Sequence, residues 1–191
     1  MYNNSIEFSI LLTVLQSPTP RNSECGEVPL AWWGSDRPPN NPVPLEKPVY
    51  YVIIQHTVSP ECYTDEECVH LLRKIREVHI IKRKFNDIGN SFYVASNGNI
   101  YEGAGWNVGR HTRGYNNKSI GISFIGDFRD KLPTDAALKS AQEFIMCHVD
   151  NRNIFGDYKL LGHYQVSNTT SPGHLLKELI QTWPNFSKTV E

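Results

Sequence analysis

The sequence Val49-Tyr-Tyr-Val-Ile-Ile-Gln-His56 is a continuous apolar run that turns polar only at its end. Its β-branched and aromatic residues predict a strand buried on both faces of a sheet. The proline-rich segment 38–48 ahead of it can sustain neither a helix nor a central strand, so it is predicted to be a loop. The polar side chains from Gln55 to Thr57 are then expected to emerge at the edge of the sheet, where ligand sites of α/β folds gather.

Segments downstream of this strand alternate between helical and strand patterns. Thr64-Asp-Glu-Glu67 is a capping box that predicts a helix with one apolar face, finishing near Phe85. Asn97-Gly98 between two short apolar runs predicts a two-residue hairpin. The order of elements predicts a single α/β domain with a mixed central sheet flanked by about three helices. The later elements are a buried strand over 119–126, a helix from Asp135 to about Asn151, a short strand over 158–163 and a final helix from Pro172 to Trp183-Pro184.

Length and composition are those of one globular domain with a short extension. The chain has 191 residues, of which 39% are hydrophobic and 20% charged, and its formal net charge is -1. That charge gives no bulk electrostatic reason to expect nucleic acid as a partner. We assign residues 1–24 to an extension and 25–188 to the domain. The apolar run 8–15 resembles the core of a secretory signal, but no Lys or Arg precedes it, and it is too short to span a bilayer.

The four cysteines and three glycosylation sequons favour an extracytoplasmic chain. Cys62 and Cys68 are close enough in sequence for a local disulfide, and Cys25 and Cys147 could form a second, long-range one. Three pairings are open from sequence alone, and four reduced thiols are the alternative. The sequons begin at Asn117, Asn168 and Asn185, and their presence supports the oxidised interpretation.

Two histidines, His56 and His163, each end an apolar strand, so they could converge on one site. They occur among ordered blocks that resemble peptidoglycan recognition proteins, which are similar in turn to phage amidases. The resemblance covers about Cys25 to Phe186. The matching blocks are Trp32-Trp-Gly-Ser, Ile53-Ile-Gln-His-Thr57, Phe85-Asn-Asp-Ile-Gly89, Asn97-Gly-Asn-Ile-Tyr-Glu-Gly103, Gly105-Trp-Asn-Val108, Ser119-Ile-Gly-Ile-Ser-Phe-Ile-Gly-Asp-Phe128, Leu161-Gly-His163 and Ser171-Pro-Gly173.

The resemblance implies a degenerate metal site. Catalytic members of the family hold zinc with two histidines matching His56 and His163 and with a cysteine, whose position here is Ser171. A neutral hydroxyl replaces the thiolate that zinc prefers, so we expect no metal and no other cofactor. The catalytic tyrosine of the family matches Asn90, which lacks a phenol's hydroxyl. Both departures predict that the chain is not an enzyme.

The resemblance also implies a groove for muropeptides over the old active site. Ordinary core packing is the alternative for Trp106 and Phe85, and a solvated helix end is the alternative for Arg83 and Lys84. The residues that match the family's groove are His56, Thr57, His79, Arg83, Lys84, Phe85, Asn90, Trp106, His111, His163 and Thr169.

Ligand specificity departs from the family patterns. Receptors for diaminopimelate-type peptides carry an arginine where this chain has Ala104, and alanine cannot pair with a carboxylate. The dipeptide Lys84-Phe85 matches neither usual specificity pair. These changes predict an extracellular recognition domain, secreted or resembling ectodomain forms of a transmembrane insect receptor, that contacts muropeptide through a heterodimer with a paralogue. A zinc amidase with a substituted site and an inhibitory decoy are the alternatives.

Overall fold

The strand β1 (Val49–His56) lies inside a five-stranded sheet. The structure is a computed structural model that describes residues 23–34, 36–37 and 41–190. β1 pairs in parallel with β4 (Ser119–Phe124) on one side and with β5 (Ile154–Gly162) on the other. β2 (Phe92–Val94) continues the sheet in parallel beyond β4, and β3 (Ile100–Glu102) joins β2 antiparallel across the Asn97-Gly98 turn. The order β3-β2-β4-β1-β5 confirms a mixed sheet.

Four α-helices lie among the described residues, and three of them were predicted. They are α1 (Leu30–Trp33), α2 (Asp65–Glu77), α3 (Asp135–Asp150) and α4 (His174–Ile180). The capping box that opens α2 is present, because the Thr64 side chain accepts from Glu67 N–H while the Glu67 carboxylate accepts from Thr64 N–H. None of the described helices combines the length and apolarity needed to cross a bilayer.

The two faces of the sheet are covered differently. On one face Val52 and Ile54 of β1 pack with Phe144 of α3 and Ile180 of α4 in the main core. Each such fully buried aliphatic side chain contributes about 2 kcal/mol of hydrophobic stabilisation. On the other face, α1 and α2 bury a second cluster that includes Leu72 over the β2–β3 end of the sheet. The polar side chains of β1 and β4 beside α2 are thereby left facing a groove.

Several boundaries differ from the sequence prediction. A π-helix (Val78–Lys82) follows α2, and it closes with a hydrogen bond from Arg83 N–H to Val78 C=O. β5 begins at Ile154 rather than near Tyr158, because its residues 155–157 are exposed and include a glycine and an aspartate, which weaken the strand pattern. α4 is shorter than predicted, and α1 was not predicted, since a four-residue helix gives too little periodicity to detect.

Both disulfides have the predicted pairing. Cys25–Cys147 ties the start of the described chain to α3, and Cys62–Cys68 ties the loop after β1 to the first turn of α2. The three sequon asparagines, Asn117, Asn168 and Asn185, are exposed. The predicted extension lies outside the described residues except for its last two positions, as does the apolar run 8–15.

Candidate functional site

A polar groove of about 310 Å³ lies beside α2, at the carboxyl ends of β1 and β4. It gathers the predicted site residues from distant parts of the sequence, as expected for the strand-end edge of an α/β sheet. All of the predicted groove residues line it except Lys84 and Trp106. The described lining residues are Gln55, His56, Thr57, Val58, Ile75, His79, Arg83, Phe85, Asn90, Tyr93, Arg110, His111, Ser123, His163, Thr169, Thr170 and Ser171.

The floor of the groove depends on a glycine in β4. A Cβ at Gly121 would lie 2.6 Å from His111 Cγ, which is too close for any side chain. The absence of that atom lets the His111 ring lie directly on the strand, where it is only 7% exposed. The ring forms a floor rather than a projecting wall, and Ser123 of the same strand also lines the groove.

A hydrogen-bonded chain of side chains connects this floor to Asn90. Asn90 Nδ2 donates to Gln55 Oε1 at 3.1 Å, and Gln55 Nε2 donates to Thr112 Oγ1 at 3.1 Å. Thr112 Oγ1 is in turn 3.1 Å from His111 Nδ1. His111 Nε2 is buried and has no partner among the described residues. Because an unpaired buried polar atom is costly, a water or ligand atom that reached this nitrogen would be stabilised there.

Asn90, which the sequence resemblance aligns with a catalytic tyrosine, has a structural role in the groove. Its side-chain amide is held by Gln55, and its backbone N–H donates to the Tyr93 hydroxyl at 3.2 Å. Tyr93 is the only tyrosine among the described lining residues, but it is fully buried, and burial raises its pKa. The phenol beside Asn90 therefore packs beneath the groove and does not project into it.

Beside this floor, one corner of the groove is formed by His56, His163 and Ser171. Ser171 Oγ accepts a hydrogen bond from His56 N–H at 3.2 Å, and His56 Nδ1 accepts one from Phe128 N–H at 3.1 Å. An acceptor Nδ1 leaves the proton of the neutral ring on Nε2, so in this orientation the ring has no free lone pair. The loop that carries Ser171 is further held by a hydrogen bond from Ser171 N–H to Thr169 Oγ1.

This donor set does not fit a zinc ion. Zinc sites use deprotonated thiolates, neutral imidazoles with a free nitrogen, or carboxylates. Here two imidazoles accompany a hydroxyl that already serves as a hydrogen-bond acceptor for the backbone. Across the described ranges, no three His, Cys, Asp or Glu side chains come together in an arrangement that could hold a metal ion.

The wall opposite this corner is built by the π-helix. Its wider turn brings the His79 ring to 5.4 Å from the Phe85 ring, and Phe85 N–H donates to the His79 carbonyl. His79 Nδ1 accepts a hydrogen bond from Gly89 N–H at 2.9 Å, which fixes the loop that carries Asn90. Single turns of π-helix are common at functional sites, because they move a side chain out of regular register.

The histidines of the groove are neutral at pH 7. Burial lowers the pKa of His79 and of His111 to about 4 each, helped at His79 by the nearby charge of Arg83. Burial also lowers the pKa of His163 to about 4 and lowers that of His56, where Asp127 partly opposes the effect. The positive charge among the described lining residues therefore comes from Arg83 and Arg110.

Two predicted groove residues lie elsewhere. Trp106 packs against Phe92 and His148, with ring centroids 5.6 Å and 4.9 Å away, at the main core on the opposite face of the sheet. Lys84 follows the π-helix with a left-handed φ of 57° and is exposed outside the groove. These placements, core packing for Trp106 and a solvated helix end for Lys84, are those that the alternative interpretation of each residue expects.

A larger and more apolar cavity of about 670 Å³ lies between α1, the loop at Pro42 and the loop around Val108. It lacks the convergence of histidines, hydroxyls and amides that marks the groove, so we assign the site to the groove. Arg110 lines both this apolar cavity and the groove.

Sequence reasoning missed several groove residues. Gln55 was expected only to emerge at the edge of the sheet, and Tyr93 and Ser123 carried no signal beyond the alternation of their strands. Arg110 lies in an irregular loop, where no periodicity indicates the direction of a side chain.

Comparison with known proteins identifies the fold and the family. The sequence pattern of N-acetylmuramoyl-L-alanine amidases matches residues 45–174. A peptidoglycan recognition protein of Trichoplusia ni is 40% identical over 166 residues, which cover 86% of this chain and 91% of that protein. The solved structure of peptidoglycan recognition protein-LE in complex with tracheal cytotoxin, a monomeric diaminopimelic acid-type peptidoglycan, has a TM-score of 0.81 at 44% identity, covering 84% of this chain and 95% of that one.

A second solved structure contains tracheal cytotoxin bound to the ectodomain complex of peptidoglycan recognition proteins LCa and LCx. Its TM-score is 0.80 at 36% identity, and the match covers 83% of this chain and 96% of that one. The fold is thus that of the amidase class. Within that class, this chain belongs to the peptidoglycan recognition protein family.

Proposed function

We propose that this chain is a non-hydrolytic recognition domain of innate immunity that binds peptidoglycan fragments in its groove, together with a paralogue. One observation carries the proposal: the groove is assembled, but the two positions needed for hydrolysis hold Ser171 and Asn90. Each of these side chains has a hydrogen-bonding role within the fold. Binding requires the groove, whereas hydrolysis also requires a metal and a proton donor that these residues do not supply.

Peptidoglycan as the ligand is supported by the relatives. Peptidoglycan recognition protein-LE was solved with tracheal cytotoxin, and its fold matches this chain closely. Hydroxyls, amides and neutral imidazoles in this groove suit the polar groups of a sugar-peptide. The buried, unpartnered His111 Nε2 is a further hydrogen-bonding position for such a ligand.

Cooperation with a paralogue is supported by the LCa and LCx complex, in which two family members and one fragment assemble. We infer that this chain acts outside the cell, in a domain spanning residues 25–188. The Cys25–Cys147 disulfide and the pairing of Ser187 with Leu160 support these boundaries, and the exposed sequons support an extracellular location.

The test combines binding and hydrolysis. Isothermal titration of the full chain with tracheal cytotoxin, with and without a diaminopimelate-binding paralogue, is expected to give binding in at least one arm. Incubation with purified cell wall is expected to release no stem peptide, with or without added zinc. An active family amidase is the positive control.

Release of stem peptides would overturn the non-hydrolytic part of the proposal and favour the amidase alternative. Binding to the paralogue at an affinity that cytotoxin does not change, with no cytotoxin binding in either arm, would favour the decoy. Tight binding by the chain alone would retain recognition and remove the need for a partner.

A further inference from the structure

The three glycosylation sequons occupy different places relative to the groove. Asn117 precedes β4, so it lies at the end of that strand opposite the groove. Asn185 follows α4, and its backbone carbonyl accepts a hydrogen bond from Leu160 N–H on the outer strand β5. Asn168, in contrast, directly precedes the residues 169–171, which all line the groove. One sequon of the three therefore lies at the rim of the site.

The sequon at the rim also has its polar groups free in the folded protein. Asn168 supplies the amide and Thr170 the hydroxyl, and both residues are exposed. Within the described part of the chain, the Asn168 amide has no hydrogen-bond partner. The Asn185 amide, by comparison, donates to the Gly156 carbonyl at 3.0 Å, and the hydroxyl residue of the Asn117 sequon is buried in β4. A glycan on Asn168 would therefore displace no hydrogen bond of the described fold.

The loop that carries Asn168 is held in place beside the groove. Tyr164 N–H donates to the Ser171 carbonyl at 2.9 Å, and Ser171 Oγ accepts from His56 N–H at 3.2 Å. Thr169 Oγ1 accepts from Ser171 N–H at 3.2 Å. Because the Cα atoms of neighbouring residues are about 3.8 Å apart, a glycan on Asn168 begins at the edge of the groove.

We propose that Asn168 is N-glycosylated, and that its glycan stands at the rim of the groove, where it excludes polymeric peptidoglycan and leaves the groove open to monomeric fragments. This inference rests on the proposed function, because it requires an extracellular chain that binds peptidoglycan in the groove. In the covalent step, Asn168 Nδ2 attacks the anomeric carbon of an oligosaccharide carried on a lipid diphosphate. An N-glycosidic bond forms, the bond from that carbon to the diphosphate oxygen breaks, the lipid diphosphate leaves, and the amide proton passes to a base of the transferase.

The point of attachment is what makes the glycan selective for size. The glycan is bulky and hydrated, and it begins on the side of the groove formed by His56, His163 and Ser171. The opposite wall, built by the π-helix, carries no sequon. A monomeric fragment ends within the groove, whereas a polymer continues beyond it and meets the glycan. Confining that flexible glycan costs free energy, which weakens binding of the polymer alone.

The experiment first maps the modification and then measures binding. The full chain is secreted from a eukaryotic cell line behind an added secretion signal, and mass spectrometry of its glycopeptides measures the occupancy of each sequon. Isothermal titration compares tracheal cytotoxin with a soluble peptidoglycan strand of several disaccharides that bears the same stem peptide, with and without a diaminopimelate-binding paralogue. Asn168→Gln is the test variant, and Asn117→Gln is the matched control, because it removes an exposed sequon at the other end of β4.

Two further measurements separate the glycan from the substitution. Thermal melting verifies that both variants are folded. Trimming the glycans of the parent protein to their first sugar with an endoglycosidase removes the bulk while Asn168 stays in place.

Most secreted molecules are expected to carry a glycan on Asn168. Asn168→Gln and trimming are each expected to lower the Kd for the polymeric strand about tenfold and to change the Kd for cytotoxin by less than about twofold. Asn117→Gln is expected to behave like the parent protein. An unmodified Asn168 in the secreted chain, or a polymer Kd that Asn168→Gln leaves unchanged, would overturn this inference alone. Failure of both the parent protein and Asn168→Gln to bind either ligand in both arms would overturn the proposed function, and with it the selective role of the glycan.

Discussion

Replacing Arg76 by methionine should destabilise the protein strongly, although this residue lies outside the groove. Arg76 is 3% exposed, and its guanidinium binds Asp87 through two hydrogen bonds of 2.6 Å and 2.9 Å. The same group donates to the carbonyls of Gly34 and Arg37 at 2.8 Å and 2.7 Å. One side chain therefore joins α2, the segment after α1 and the loop that leads into the groove wall.

The magnitude follows from what the substitution leaves behind. Methionine fills a similar volume but leaves the Asp87 carboxylate, 14% exposed, without its cation, and the Arg37 carbonyl without that donor, whereas the Gly34 carbonyl keeps its hydrogen bond from Arg37 N–H. Breaking a buried ion pair by removing one partner costs about 3–5 kcal/mol. Partial access of water to Asp87 favours the lower end of that range. For a protein of this size, about 3 kcal/mol corresponds to a decrease in Tm of roughly 6–12 °C.

Guanidinium chloride unfolding followed by circular dichroism measures the change in free energy of unfolding. Lys74→Met is the control, because Lys74 is an exposed cation on the same helix, and its loss should change stability by less than about 0.5 kcal/mol. A double-mutant cycle with Asp87→Leu isolates the pair, and the double variant should recover part of the loss. A cost below about 1 kcal/mol for Arg76→Met, or strictly additive effects in the cycle, would refute the reasoning.

Three further predictions concern the degenerate site, the disulfides and the pH dependence of stability. Ser171→Cys should raise zinc affinity by restoring a thiolate beside two histidines, and metal analysis after dialysis against zinc should detect more bound metal than in Ser171→Ala. Removing the Cys25 disulfide, whose cysteines are 122 positions apart, should cost more stability than removing the Cys62 disulfide, with a separation of 6, by about 2–3 kcal/mol on the loop-entropy account; equal losses in urea unfolding would contradict it. The pKa of His79 falls from an ordinary 6.5 to about 4 on folding, so only the unfolded chain takes up its proton between these values. Stability should therefore be full above pH 6.5 and fall as the pH drops toward 4, and His79→Gln should make that fall shallower; an unchanged slope would show that His79 is not responsible.

The fold was predictable because its main elements carry independent local signals. The β1 run, the Thr64 capping box and the Asn97-Gly98 turn each determine an element without help from the rest of the chain. The elements that were missed or misplaced lack such signals. α1 has four residues, and the first half of β5 is exposed, so its sequence does not show the alternation of a buried strand.

The residues that the resemblance places on strand ends lie in the groove. Placement from sequence failed where the direction of a side chain depends on a loop. His56 and His163 reach the groove because the sheet brings the ends of β1 and β5 together. Trp106 was misplaced because the same loop sequence can direct an indole to either face of the sheet. In the structure the Trp106 indole packs against Phe92 at the main core.

The polar groups of the groove fall into two classes, according to whether the fold itself uses their hydrogen-bonding atoms. Ser171 and Asn90 are buried, and the fold itself uses their side-chain hydrogen-bonding groups. Arg83, Arg110 and His111 Nε2, in contrast, have polar atoms for which the described part of the chain offers no partner. The unpaired nitrogen of His111 is buried and therefore costly without a ligand or water, whereas the two arginines are exposed and hydrated. Polar groups that lack a partner within the fold are expected at functional sites. They lie in the groove to which the peptidoglycan-binding proposal assigns the ligand.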